Sequence, residues 1–361
     1  MKSTVNHPSI VLDESIVTKL RQAAAEAERL RQLHPAQLKL IHNQKWSKMF
    51  VPRQFGGLEM TLPDILKLEE SLAWADGSTA WVVTLCAGAA WFIGFLDPLL
   101  AKEMFSDDNF FMAGSGMTTG TAEKTNDGFV VNGFWKYASG TLHATHFTAN
   151  CMITENGKLV LEKGKPCVRP FVFKRNEVAI HNTWNSIGMV ATASHSFEIK
   201  NLFVPNQRQF QIDSKTSVID KPLYHYPFVQ LAETTLTVNL SGMALRFMDL
   251  CEEMSKSKPS TLKIIQKTKK RLDGKRKKFY NSAETSWQIC ASRKPISNSI
   301  LNQVSKESHA LAECSRQTVN DLFPYCGLTA ADSAKEINRV WRNLHTAGQH
   351  SLFRIQPKFK S

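Results

Sequence analysis

Apolar residues in the first part of the chain recur at three- and four-residue steps. Leu20, Ala23, Ala27 and Leu30 form one stripe, and Ile65, Leu68, Leu72 and Trp74 another, the spacing that lines one face of an α-helix. Thr61 and Pro63 sit where a cap and a first-turn proline open the second of these helices. Past residue 110 the period changes. Residues 129–135, 146–153, 169–173 and 196–199 alternate or run apolar between Asn, Asp and Gly turns, which is strand grammar. Asp127-Gly128 and Asn132-Gly133 favour tight reversals. Helical spacing returns after Pro222, with residues 231–254, 261–280, 297–321 and 332–353 as four candidate helices. The pattern predicts three units in series: residues 1–110 helical, 111–215 an antiparallel sheet and 216–361 a helical bundle.

A chain of 361 residues exceeds the usual single-core limit, and 42% hydrophobic residues suffice for real cores. The longest apolar stretch, 79–100, is broken by Gly88, Gly94, Asp97 and Pro98. It reads as a buried helix pair, and no membrane association is expected. The opening Met1-Lys-Ser-Thr-Val-Asn-His-Pro has no apolar core of a signal peptide. Seven cysteines without CxxC spacing argue against a disulfide framework and for a reducing, cytoplasmic setting.

The net charge is +13, much of it between Lys263 and Lys278. Such a run could bind nucleic acid or an anionic surface. Only Phe279 and Tyr280 follow it as stacking aromatics, so a solvated or intersubunit helix face is expected, and no specific nucleic-acid partner.

The strongest chemical signal is the last helix. Arg339, Arg342, His345 and His350 fall within twelve positions, and no Asp or Glu follows Glu336. At about 100° per residue, Arg339, Asn343 and His350 share a face, with Arg342 and His345 to either side. A guanidinium, an amide and an imidazole together suit an anionic or hydroperoxide-bearing cofactor; the plain alternative is cationic complement to the helix dipole.

This segment has company. Phe55-Gly-Gly57 is followed by Trp135-Lys-Tyr-Ala-Ser139-Gly140, then by Trp184-Asn-Ser-Ile-Gly188-Met-Val-Ala-Thr192-Ala-Ser194 and Leu202-Phe-Val-Pro205. In that order the blocks resemble the acyl-CoA dehydrogenase superfamily, and more narrowly its two-component flavin-dependent monooxygenase branch. The resemblance implies an α+β multidomain fold with an N-terminal α-helical domain, a middle antiparallel β-barrel-like domain and a C-terminal four-helix bundle. It also implies a flavin, FMN or FAD, supplied reduced by a separate flavin reductase, and a homo-oligomer, most simply a homotetramer.

On that resemblance Ser139 contacts the flavin ring, Trp135 lies against it, Gly140 lets the backbone approach, Thr192 and Ser194 form a second contact loop, and Arg339 and Arg342 hold the anionic part. Met117-Thr-Thr-Gly120-Thr121 stands where a first contact loop would be, without its usual proline and acidic residue. His350 is the first candidate for a donor sheltering a flavin hydroperoxide, and His143 the second; Trp81 and His350 would line the pocket of a small organic substrate. Each has a plain alternative: Ser139-Gly140 as a strand exit, His143 as a structural histidine, Trp81 as core.

Two departures bear on mechanism. Straight-chain dehydrogenases take their carboxylate base from the last helix, where this chain offers His350 and Ser351; Glu233 is the remaining option for a dehydrogenase or oxidase. The Arg-x-x-Phe-Gly loop of dehydrogenases reads Ser255-Lys-Ser-Lys-Pro259, and their paired glycines appear only as Tyr325-Cys-Gly-Leu328. The expectation is a monooxygenase hydroxylating a small organic molecule, with an aromatic one among the candidates. A dehydrogenase using Glu233, or a non-catalytic anion-binding protein acting through the basic run, are the alternatives. No metal-ligand, P-loop or GxGxxG motif occurs.

Overall fold

A computed structural model describes residues 5–353. Residues 1–4, part of the stretch read for a leader, and 354–361 lie outside the described residues. Five helices come first: α1 Glu14–Leu30, α2 Pro35–Asn43, α3 Leu62–Ala75, α4 Gly77–Ala90 and α5 Pro98–Phe105. Thr61 caps α3 by accepting from the Asp64 N–H, with Pro63 in the first turn. Asp76 ends α3 and caps α4, its carboxylate accepting from the Thr79 N–H at 2.9 Å. The joint leaves no slack between the two helices. In place of the expected helix pair, α4 runs into a 3-10 turn, Trp91–Phe95, before α5. The span Gly77–Phe95 is long and apolar enough to cross a membrane, but 83% of it is buried inside the protein, as befits a helix apolar on every side.

Nine strands follow: β1 Met112–Lys124, β2 Gly128–Ala138, β3 His146–Glu155, β4 Lys158–Leu159, β5 Leu161–Glu162, β6 Lys165–Pro166, β7 Val168–Lys174, β8 Ala179–His181 and β9 His195–Pro205. The main sheet has the order β4-β3-β1-β2-β9-β8, with β7 pairing β3. It is mixed, which corrects the antiparallel expectation: β1 and β3 run parallel. The cause is the link 139–145, which steps from the end of β2 past the start of β1, where Thr145 and His146 both donate to the Phe111 carbonyl. Among the described residues no ladder joins β4 to β8 to close a barrel.

Helices resume with α6 Pro222–His225, α7 Phe228–Met254, α8 Pro259–Ala291, α9 Asn298–Leu322, α10 Gly327–Ala331 and α11 Glu336–Ala347. The predicted stretches 231–254, 261–280 and 297–321 fall on α7, α8 and α9, with α8 longer than expected. The stretch 332–353 is broken: α11 ends at Ala347, and a turn precedes the 3-10 segment Ser351–Phe353. Helices from both ends of the chain share one apolar core, and the sheet holds its own around Trp135, Phe147, Phe171, Phe173 and Phe197.

The helical halves are joined by charge as well as by apolar packing. Glu70 of α3 and Arg276 of α8 meet in a bidentate pair, Nε to Oε1 at 2.9 Å and Nη2 to Oε2 at 2.7 Å, with side chains 3% and 2% exposed. Ser241 of α7 and Tyr280 of α8 donate to the same carboxylate, and Arg276 donates to the Asn6 carbonyl. Arg276 therefore departs from the solvated face expected of the basic run. Beside it Gly242 lets α7 reach the α3 backbone, since a Cβ there would lie 2.2 Å from the Glu70 carbonyl oxygen. Breaking a buried pair strands the surviving charge, so Arg276→Ala is expected to cost about 3 to 5 kcal/mol. Exposed Lys278→Ala should stay within about 0.5 kcal/mol. Urea denaturation of the two variants measures the difference, and equal stabilities would remove the pair from its structural role.

Candidate functional site

The end of β2 and the loop before β9 come together through backbone and hydroxyl contacts. Gly140, at φ +77°, donates its N–H to the Thr192 carbonyl at 2.8 Å. A Cβ at Gly140 would lie 2.8 Å from the Cys86 sulfur, so α4 presses directly on this turn. Ser139, Ser194 and Thr192 are buried and form a line, Oγ to Oγ at 2.7 Å and Oγ to Oγ1 at 2.7 Å. The Thr192 hydroxyl donates to the Met189 carbonyl at 2.8 Å. It therefore accepts from Ser194, which in turn accepts from Ser139. The line has a direction, and it leaves the Ser139 oxygen with free lone pairs for an outside N–H donor.

The aromatic expected beside this line, Trp135, points elsewhere. Trp135 is fully buried in the sheet core, donating its indole N–H to the Asn150 carbonyl and stacking on Phe197 at 5.2 Å. Its side chain offers no outer wall. A register shift between Trp135 and Ala138 interrupts the pairing of β2 with β9, and Tyr137 within it has φ +66°. Strict alternation would put residues 135, 137 and 139 on one face; the irregularity turns Tyr137 outward instead. It is 63% exposed, edge-on to Trp184 at 6.1 Å. Leu142 and Ile187, on the adjoining segments, are also exposed. A left-handed residue is not readable from the motif, so the outward position of Tyr137 was not anticipated.

From the helical side, Trp81 of α4 meets His350 edge to face at 5.9 Å. His350 stands beyond α11, not on a helical face with Arg339 and Asn343 as expected, because the helix stops at Ala347. Burial lowers its pKa below the ordinary histidine value, so the ring is neutral near pH 7. Asn343 points inward, accepting from the Met189 N–H at 2.6 Å. Arg342 is bound to Glu28 of α1, to Asn338 and to the Ile187 carbonyl at 2.7 Å. Its guanidinium braces the loop and is not free for a cofactor anion in this arrangement. Arg339 is 9% exposed and lies near the buried carboxylate of Asp76.

The remaining candidates lie farther out. His143 donates its backbone N–H to Gly140 and stands near His42; no partner is found for its buried Nε2 among the described residues. Glu233 of α7 is engaged by Ser305 Oγ at 2.5 Å and His309 Nε2 at 3.1 Å, both on α9. A cleft of about 540 Å³ between α8 and α9, lined by Lys278, Thr285, Gln303 and Lys306 among others, contains none of the predicted site residues. Helix α4 touches both groups of candidates, His350 through Trp81 and the Gly140 turn through Cys86.

Residues 227–355 match the family model described as acyl-CoA dehydrogenase, C-terminal domain. Similarity extends over the rest of the chain. It is 24% identical over 317 residues to indole-3-acetate monooxygenase of Pseudomonas putida, covering 84% of this chain and 80% of that protein. It is 22% identical over 360 residues to the flavin-dependent monooxygenase oxygenase subunit HsaA of Mycobacterium tuberculosis, covering 94% and 90%. The crystal structure of HsaA superposes with a TM-score of 0.88 at 21% identity, covering 96% of this chain and 94% of that one. XiaF from a Streptomyces species, in complex with FADH2 and glycerol, gives 0.87 at 19% identity over 96% and 92%. Over its last helical third the chain is thus similar to the acyl-CoA dehydrogenase C-terminal domain. The proteins it resembles along its length include flavin-dependent monooxygenases.

One titration follows from the site's burial. Desolvation first, then the nearby His42, pushes the His143 pKa down to about 4 from 6.5. Between those values the unfolded chain binds a proton that the folded one refuses, so this group makes stability rise with pH across that window and fall as pH drops toward 4. His143→Gln should flatten that part of the profile. Denaturation midpoints measured from pH 4 to 6.5 check it; an unchanged slope contradicts the burial of a neutral ring.

Proposed function

We propose that this chain is the oxygenase of a two-component flavin-dependent monooxygenase. It takes reduced flavin, FMN or FAD, from a separate flavin reductase and hydroxylates a small organic substrate of aromatic character. The observation that carries the reading is the directed line Ser139–Ser194–Thr192, ending in an acceptor oxygen two positions along the chain from the exposed Tyr137. Reduced flavin bears an N–H at its central ring that oxidised flavin lacks, and an acceptor matches it. Exposed Tyr137, Leu142 and Ile187 offer apolar surface on the segments next to the line.

When bound, reduced flavin supplies the electrons that activate oxygen. The chain's own residues do the rest. Ser139 accepts from the ring, and Thr192 and Ser194 hold Ser139 in the accepting state. Tyr137 takes the wall role expected of Trp135. His350, neutral and half-buried, donates a proton or hydrogen bond toward the reacting oxygen, and Trp81 keeps that ring in place and excludes water. Arg342 and Asn343 position the 187–189 loop. The reading carries with it a cytoplasmic homo-oligomer, in the simplest case a tetramer, and a supporting role for His143.

The dehydrogenase alternative requires Glu233 as a free base. Its carboxylate is instead satisfied by Ser305 and His309, and the names of the relatives favour oxygenation. The anion-binding alternative draws on the basic run, where Arg276 is buried and Arg271 is paired with Asp321. What remains exposed should give only weak nucleic-acid binding, lost steeply with added salt; retention of a duplex near physiological salt would revive that alternative.

Three variants separate the readings. Ser139→Ala removes one hydrogen bond to the reduced ring and should weaken its binding by about 1 to 3 kcal/mol, read by anaerobic titration. His350→Ala should bind reduced flavin nearly as wild type yet release hydrogen peroxide in place of hydroxylated product. Glu233→Gln should leave coupling unchanged. Flavin bleaching by an acyl-CoA, abolished by Glu233→Gln by about 100-fold or more, is the result that would overturn the oxygenase.

A further inference from the structure

Two of the cysteines are not isolated. Cys251 lies one turn from the end of α7, and Cys326 in the 3-10 turn between α9 and α10. Their sulfurs are 2.6 Å apart, and both residues are buried, 1% and 6% exposed. They are 75 positions apart in the chain, so the contact is made by the fold and not by local sequence. Every other cysteine is buried without a cysteine neighbour in contact among the described residues.

The surroundings distinguish the two thiols. The hydrogen bond from Cys251 holds the Cys326 thiol below its ordinary pKa against the opposing effect of burial, and the ammonium of Lys258 adds to the lowering. The same contact, together with burial, pushes Cys251 up. Cys326 is thus the more acidic thiol of the pair. It also stands nearer to solvent: its chain neighbours Tyr325 and Leu328 are 43% and 88% exposed. Thiolate character and access together decide which cysteine reacts first with an oxidant.

We propose that Cys251 and Cys326 form an intramolecular disulfide when the protein meets hydrogen peroxide. The Cys326 thiolate attacks one peroxide oxygen, the O–O bond breaks, and the departing hydroxide takes a proton to leave as water. Cys326 is then a sulfenic acid. The Cys251 sulfur, already in contact, attacks the Cys326 sulfur and loses its proton, and the S–O bond breaks to release a second water. Two thiols lose two electrons and one peroxide gains them. The two sulfurs are already in contact before the second step. The bond would tie α7, the element that carries Glu233 and Gly242, to the segment leading into α10 and α11. Asn338 of α11 already donates to the Ala330 carbonyl of α10 at 2.7 Å, so the crosslink stiffens the support of the last helix.

The full-length, flavin-free protein, reduced with dithiothreitol and desalted, is treated with a small molar excess of hydrogen peroxide. Use of flavin-free protein makes the result independent of the oxygenase reading. The expected result is an intact mass lower by two hydrogens, restored by dithiothreitol, and a single crosslinked peptide joining Cys251 to Cys326. Cys251→Ser should halt at a Cys326 sulfenic acid that dimedone traps, while Cys326→Ser should leave Cys251 unmodified. Wild-type protein in which all seven cysteines still alkylate after peroxide, or in which Cys326 proceeds to sulfinic acid with Cys251 still free, overturns the proposal without reference to any variant.

Discussion

Two opposite charges taken out of water set the terms for the rest of this molecule. Glu70 and Arg276 have side chains 3% and 2% exposed, and desolvation on that scale is tolerable only when every lone pair and donor is satisfied. Ser241, Tyr280, the Asn6 carbonyl and Asp273 complete the set, so four separate parts of the chain must arrive in one geometry. A satisfied buried network of this kind specifies an arrangement more than it adds stability. Here it specifies α3 against α7 and α8, with Gly242 as the point of closest approach.

What α3 inherits it passes on. Asp76 terminates α3 and caps α4, so the rotation of α4 follows from the clamp within one residue. That rotation aims Trp81 at His350 and places Cys86 under the Gly140 turn. On the far side, Asn343 and Arg342 hold the 187–189 loop by hydrogen bonds to its backbone. The hydroxyl line between Ser139, Ser194 and Thr192 is therefore held from both the sheet and the helices. Its direction comes from one carbonyl, Met189, which accepts from Thr192. A site built this way presents an acceptor whose orientation is set before any ligand arrives, and preorganised polar groups of this sort carry most of the electrostatic advantage of a buried site.

Much of this was legible in the residues, and the failures have physical causes. Helical period and strand alternation located α3, α7, α9 and the sheet, because each buries one continuous face. Ser139, Gly140, Thr192 and Ser194 were recognisable as a set, and the fold brings them within hydrogen-bond distance. Trp135 and Tyr137 were confused because a local register shift breaks the two-residue period on which the assignment rested. His350 was placed on a helix that ends at Ala347: the periodic pattern of polar residues continued past the point where the backbone stops. Arg276 looked like one cation among many, since a basic run does not announce which member has a buried carboxylate waiting on another helix. Arg342 raised the same difficulty, its partner Glu28 lying 314 positions away. Long-range pairing is the part of the site that one-dimensional spacing cannot carry.

The central claim is that the reduced ring lies between the Ser139 line and the Trp81–His350 pair. A crystal structure of the protein soaked anaerobically with reduced flavin tests it most directly. The account predicts the central ring N–H within hydrogen-bond distance of Ser139 Oγ, the ring face against Tyr137, and His350 on the open side toward Trp81. Flavin bound elsewhere, for instance in the cleft between α8 and α9, or a ring whose central N–H faces away from Ser139, would contradict it.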